Sequence, residues 1–98
     1  MSRILKVAAA QLGPITLKEP RSSAVKRMIV LMQNAKAQGA DLVVFPELAL
    51  TTFFPRWFTE DQSEIDKYFE TEMPSKETQP LFAEARKLKI GLNFGFAE

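Results

Sequence analysis

The chain contains no cysteine and no histidine. It therefore cannot supply a Ser-His-Asp triad, a thiolate nucleophile of its own, or a zinc site built from the usual nitrogen and sulfur ligands. Glycine is scarce. The four present, Gly13, Gly39, Gly91 and Gly95, form neither a Gly-x-Gly-x-x-Gly fingerprint nor a phosphate-binding loop. The five serines sit in no Gly-x-Ser-x-Gly elbow. An excess of one charge is also missing: 13 Lys and Arg stand against 12 Asp and Glu, and the basic residues are scattered, so no nucleic-acid partner is expected. No apolar run approaches membrane-spanning length, so no membrane partner is expected either. The first residues show no signal-peptide cleavage pattern, which makes the cytoplasm the expected location.

What remains is an ordinary globular composition, 46% hydrophobic and 26% charged over 98 residues, enough for one modest core and one folding unit. Strands alternate with helices. Residues 4–10 form a short, mostly apolar run that predicts a buried strand, ended by the Gly13-Pro14 turn signal. From about Pro20 to Gln38, Val25, Met28, Ile29, Met32 and Ala35 recur at three- and four-residue spacing. That predicts an amphipathic helix opened by Pro20 and stopped at Gly39. Leu42, Val43, Val44 and Phe45 read as a strand covered on both faces of a parallel sheet. Strand, helix, strand implies a crossover unit.

The next stretch is less regular. Residues 53–58 are aromatic with a proline among them, which predicts a packed loop. Thr59 and Gln62 have capping-box spacing ahead of a short helix whose inner stripe would be Ile65, Tyr68 and Phe69. Ser75 or Thr78 would cap a further helix presenting Leu81, Phe82, Ala85 and Leu88, and residues 90–96 return as a third strand. The order strand-helix-strand-helix-helix-strand is an α/β layered sheet. A final strand with no helix after it predicts that residues 1–98 are the amino-terminal portion of a single larger domain.

Of the twelve acidic residues, eleven read as members of solvated faces, Glu70 among them, while Glu47 stands apart. It follows Val43, Val44, Phe45 and Pro46 and precedes Leu48, Ala49 and Leu50. A carboxylate is thus placed at the carboxyl end of a strand, the edge where open α/β sheets bind ligands. Enclosure by apolar neighbours would raise its basicity toward the range useful to a general base, whereas an adjacent cation would lower it. The residues alone leave a second reading open, a strand-end glutamate that caps a helix or pairs with a lysine. Other candidates are weaker. The aromatic stretch can wall a pocket but reads better as packing, and Arg56 between Pro55 and Trp57 reads as a stacked surface arginine rather than a carboxylate clamp. Gln11 and Asn93 lie near strand ends, where backbone capping is the simpler role. Glu60, Asp61, Glu64 and Asp66 lack the glycine turn of a calcium loop and read as a solvated helix start.

Phe45-Pro46-Glu47-Leu48-Ala49-Leu50 resembles the first signature of the nitrilase-like carbon-nitrogen hydrolases. Thr51-Thr52-Phe53-Phe54-Pro55-Arg56-Trp57 and Tyr68-Phe69-Glu70-Thr71-Glu72-Met73-Pro74 are similar to the N-carbamoyl-D-amino-acid hydrolases within that family, and Gln11-Leu12-Gly13-Pro14 fits the same opening. The resemblance spans the chain. It implies part of a four-layer α-β-β-α sandwich, with Glu47 as general base beside a cysteine, which this chain lacks, and a lysine to which no lysine of this chain can be matched. By the same likeness the reaction is hydrolysis of an N-carbamoyl amino acid or related amide, a small-molecule substrate, without metal or organic cofactor, in a homo-oligomer. Beta-ureidopropionase-like, aliphatic amidase and nitrilase activities share the first signature, and a non-catalytic relative with the same fold is the alternative from another class.

Overall fold

The computed structural model describes residues 4–56 and 60–98. The elements run β1 (Val7–Ala9), α1 (Arg21–Ala37), β2 (Leu42–Val44), a single 3-10 turn (Phe54–Arg56), α2 (Gln62–Asp66), α3 (Gln79–Leu88) and β3 (Gly91–Asn93). The fold is α/β, in the element order that the sequence predicts. The strands form one parallel sheet in the order β1-β2-β3, with Ala8, Val43 and Leu92 aligned across it.

Helix α1 forms where the apolar spacing places it. Pro20 is its N-cap, Gln38 its C-cap, and Gly39 follows at φ 88, a conformation that needs no Cβ. Its inner stripe, Ala24, Val25, Met28, Met32 and Ala35, is buried, each large member contributing roughly 1.5–3 kcal/mol. Helix α3 adds Leu81 and Ala85 to the same core and ends at Lys89, which adopts the left-handed conformation, φ 55, as Ile90 N–H bonds the Ala85 carbonyl at 3.1 Å. Thr78 is its N-cap residue, but its hydroxyl does not cap the helix; it accepts from Ser75 N–H at 2.7 Å instead. Val43, at the middle of β2, is fully buried and faces this core.

Three expectations need correction. The first strand is buried only in part: Ile4, Leu5 and Val7 are 79%, 62% and 54% exposed, because β1 is an edge strand here. β2, the central strand, is covered on one face only. Leu42 and Val44 flank the buried Val43 but remain half-exposed, pointing to the side opposite the helices. Third, α2 buries nothing and stops at Asp66, so Tyr68 and Phe69 lie beyond it; Phe69 bridges to Ala97 instead. Its N-cap is Asp61, whose carboxylate accepts from Ser63 N–H, whereas Thr59 lies outside the described residues. The bonds from the Ser63 hydroxyl and N–H hold the Asp61 carboxyl below its usual range. Among the described residues, no helix is long and apolar enough to cross a membrane.

Candidate active site

The carboxyl ends of the three strands meet above one edge of the sheet, and the chain segment that carries Glu47 is shaped there by two cross-strand bonds. Phe45 N–H donates to the Asn93 carbonyl at 2.8 Å, and Ala49 N–H donates to the Gly95 carbonyl at 3.0 Å. Between those bonds the chain advances four residues on one side and two on the other. The two extra residues must loop out of the ladder, as in a bulge. Leu48 absorbs the turn by entering the left-handed region at φ 52, which is uncommon for a leucine.

This geometry sorts the apolar neighbours of Glu47 away from it. Phe45, Ala49 and Leu50 turn into the core at 4%, 1% and 1% exposure, while Glu47 projects into solvent. The enclosure expected from its flanking residues is therefore not found; the bulge reverses it. Among the described residues, the Glu47 carboxylate caps no helix and pairs with no lysine or arginine. Beside it lies a cavity of about 210 Å³ walled by residues 12–15, by Pro46, Leu48 and Ala49, and by Thr51, Thr52 and Phe53. A broader apolar hollow of about 680 Å³ continues along the strand ends from Ala9 to Pro14 and Val44 to Pro46.

The wall formed by residues 12–15 is tied to α1 by one side chain. The Arg27 guanidinium donates to the carbonyls of Leu12 and Pro14 and to both oxygens of Glu19, the latter at 3.0 and 2.9 Å. Burial alone would raise the Glu19 carboxyl, but the bonds from Arg27 and Ser23 outweigh it and hold it below its usual range. Sequence reasoning missed this clamp, since nothing in the spacing of Leu12, Glu19 and Arg27 announces it.

Of the secondary candidates, Gln11 is exposed and lines the hollow, while Asn93 ends β3 and contributes its backbone carbonyl to Phe45. The aromatic stretch divides. Phe53 walls the cavity beside Glu47, whereas Phe54 stacks on Tyr68 with ring centres 5.1 Å apart and planes 6° from parallel. Trp57 and Phe58 lie outside the described residues. The acidic run 60–66 is exposed at the start of α2, and among the described residues no group of three or more ligating side chains gathers.

Glu70 departs most from expectation. It is 6% exposed, not solvated, and its Oε2 accepts from Arg21 Nε at 2.6 Å. The same guanidinium reaches the carbonyls of Lys67 and Phe69, and Glu70 N–H donates to the Ala97 carbonyl at 2.6 Å. Segment 67–70 is thereby pinned between the start of α1 and the strand that leads out of β3.

The carbon-nitrogen hydrolase family matches residues 6–98. That span takes in all three strands, all three helices and the Glu47 bulge, and the chain belongs to the carbon-nitrogen hydrolase family.

Proposed function

We propose that this chain is the amino-terminal portion of an amidohydrolase that converts an N-carbamoyl-D-amino acid to the D-amino acid, carbon dioxide and ammonia, with Glu47 as general base. The observation that carries the role of Glu47 is its placement: an exposed carboxylate with no partner among the described residues, at the carboxyl edge of a parallel sheet and beside a cavity. General C–N bond hydrolysis follows from the family. The substrate class rests on the likeness of residues 51–57 and 68–74 to the N-carbamoyl-D-amino-acid hydrolases.

The chemistry needs a nucleophile that this chain does not contain. In the proposed enzyme, sequence following Glu98 supplies a cysteine as that nucleophile and a lysine beside it. Glu47 accepts the thiol proton as the sulfur attacks the ureido carbonyl carbon, which avoids maintaining a free thiolate at neutral pH. The lysine holds the oxyanion. Collapse breaks the bond to the terminal nitrogen and releases ammonia, which carries away the proton from Glu47. Water, deprotonated by the same carboxylate, then attacks the S-carbamoyl carbon, the carbon–sulfur bond breaks and the sulfur takes the proton back from Glu47, and the carbamate that leaves decomposes to carbon dioxide and the amino acid. The reading includes a homo-oligomer in the cytoplasm and no cofactor.

Ammonia release from N-carbamoyl-D-phenylalanine and from its L-enantiomer, measured with the full-length enzyme and its Glu47→Gln variant, tests the proposal. D-selective turnover that the substitution removes is expected. Turnover of neither enantiomer would refute the substrate class, and unchanged turnover by folded Glu47→Gln would remove Glu47 from the mechanism.

A further inference from the structure

The bulge that lifts Glu47 out of the sheet is held in place by the segment that follows β3, and one residue of that segment comes unusually close. A Cβ built on Gly95 would lie 3.2 Å from the Glu47 Cα, 3.5 Å from the Leu48 nitrogen and 3.8 Å from the Glu47 Cγ. The first of these is tighter than ordinary van der Waals contact, and its partner is backbone, which cannot swing away as a side-chain tip can. Gly95 also accepts the Ala49 N–H bond at 3.0 Å that closes the far side of the bulge. Its neighbour Leu48 is at φ 52, so the turn has no relaxed alternative nearby for a leucine. The backbone carrying Glu47 is thus confined on one side by the strained turn and on the other by the segment after β3, which fits only because position 95 has no side chain.

We propose that Gly95 is a positioning residue for Glu47, setting where its carboxylate stands at the sheet edge. The inference rests on the reading of Glu47 as general base. A methyl group at position 95 displaces the Glu47 Cα by a few tenths of an ångström, and proton transfer is sensitive to such a shift, since misplacement of a reacting group by about 1 Å can cost about a hundredfold in rate.

Gly91, the first residue of β3, supplies an internal control. A Cβ there would lie 3.2 Å from the Leu42 Cδ1, a side-chain tip that can give way, and 3.6 Å from the Asp41 carbonyl, at the start of β3 and away from Glu47. In the full-length enzyme, Gly95→Ala is expected to lower kcat about tenfold with KM unchanged. Gly91→Ala, which adds the same methyl group, is expected to leave kcat at the wild-type value. Combined with Glu47→Gln, Gly95→Ala is expected to add no further loss, because the group it positions is already disabled. Equal kcat values for Gly95→Ala and Gly91→Ala, or full additivity with Glu47→Gln, would overturn the proposal. Wild-type turnover by Glu47→Gln would instead overturn the reading of Glu47 on which it rests. If Gly95→Ala yields no folded enzyme, Leu48→Val carries the test: a β-branched residue resists φ 52 and moves the turn without adding an atom against Gly95. The same fall in kcat at constant KM is then expected, and an unchanged kcat would overturn the proposal.

Discussion

Glu47 and Glu70 occupy opposite kinds of setting within one small fold. Segment 45–50 bulges out of the sheet so that its apolar residues enter the core and its carboxylate faces solvent with no partner among the described residues. Segment 67–70 folds its carboxylate inward onto Arg21, whose Nη2 also donates to two backbone carbonyls. One glutamate is held available and the other is committed. A carboxylate meant to accept a proton gains from having no permanent donor, whereas a buried one must have its donors supplied or it destabilises the fold.

The sharpest way to break the comparison is to neutralise each carboxylate without changing its size. Glu47→Gln is expected to lower kcat by roughly two to four orders of magnitude with the melting temperature unchanged, measured by ammonia release and thermal unfolding of the full-length enzyme. Glu72→Gln, at an exposed position three residues past Phe69, is the matched control and is expected to alter neither quantity.

Glu70 is expected to behave in the opposite way. Glu70→Ala leaves the Arg21 charge without its partner; discounting the full cost of a broken buried pair because Arg21 is 24% exposed, the loss is about 2–3 kcal/mol. Denaturant unfolding reads that loss, and kcat of the folded fraction is expected to stay within about twofold of wild type. Replacing both partners, Arg21→Met with Glu70→Met, is expected to recover part of the stability, since two apolar groups leave no unpaired charge. A stability loss at Glu47 or a rate loss at Glu70 would collapse the distinction.

The contrast also explains how far the sequence could be read. Helix α1, its caps and its buried stripe were legible because a 3.6-residue period and a Pro-to-Gly frame are local signals. The element order and the place of Glu47 at a strand end were legible for the same reason. The burial of individual carboxylates was not. Glu70 sits among polar and aromatic residues, and its inward turn depends on Arg21, 49 residues earlier. The exposure of Glu47 depends on bonds from Phe45 and Ala49 to Asn93 and Gly95, which no window around position 47 contains. The open face of the sheet is equally non-local: Leu42 and Val44 carry the continuous apolar pattern of a strand covered twice, but among the described residues only the helix side is covered.

The smallest expected effect concerns the wall of the cavity and not Glu47 itself. Glu19 accepts two bonds from Arg27, which also holds the carbonyls of Leu12 and Pro14, so the Glu19 carboxylate steadies the loop facing Glu47. Its folded-state pKa lies below the ordinary glutamate value. A carboxyl lowered in this way contributes stability that is fully present above its unfolded pKa and is lost as the pH falls through the lowered folded value. Glu19→Gln cannot make that contribution at any pH. The stability difference between wild type and Glu19→Gln is therefore expected to be constant near neutrality, at about 1 kcal/mol or less for so accessible a pair, and to shrink as acid titrates the carboxylate. Parallel urea titrations between pH 7 and pH 3, roughly spanning the carboxylate range, measure it. A difference that grew on acidification would mean that Glu19 is stabilised in its neutral form, and that Arg27 serves the loop through the two carbonyls alone.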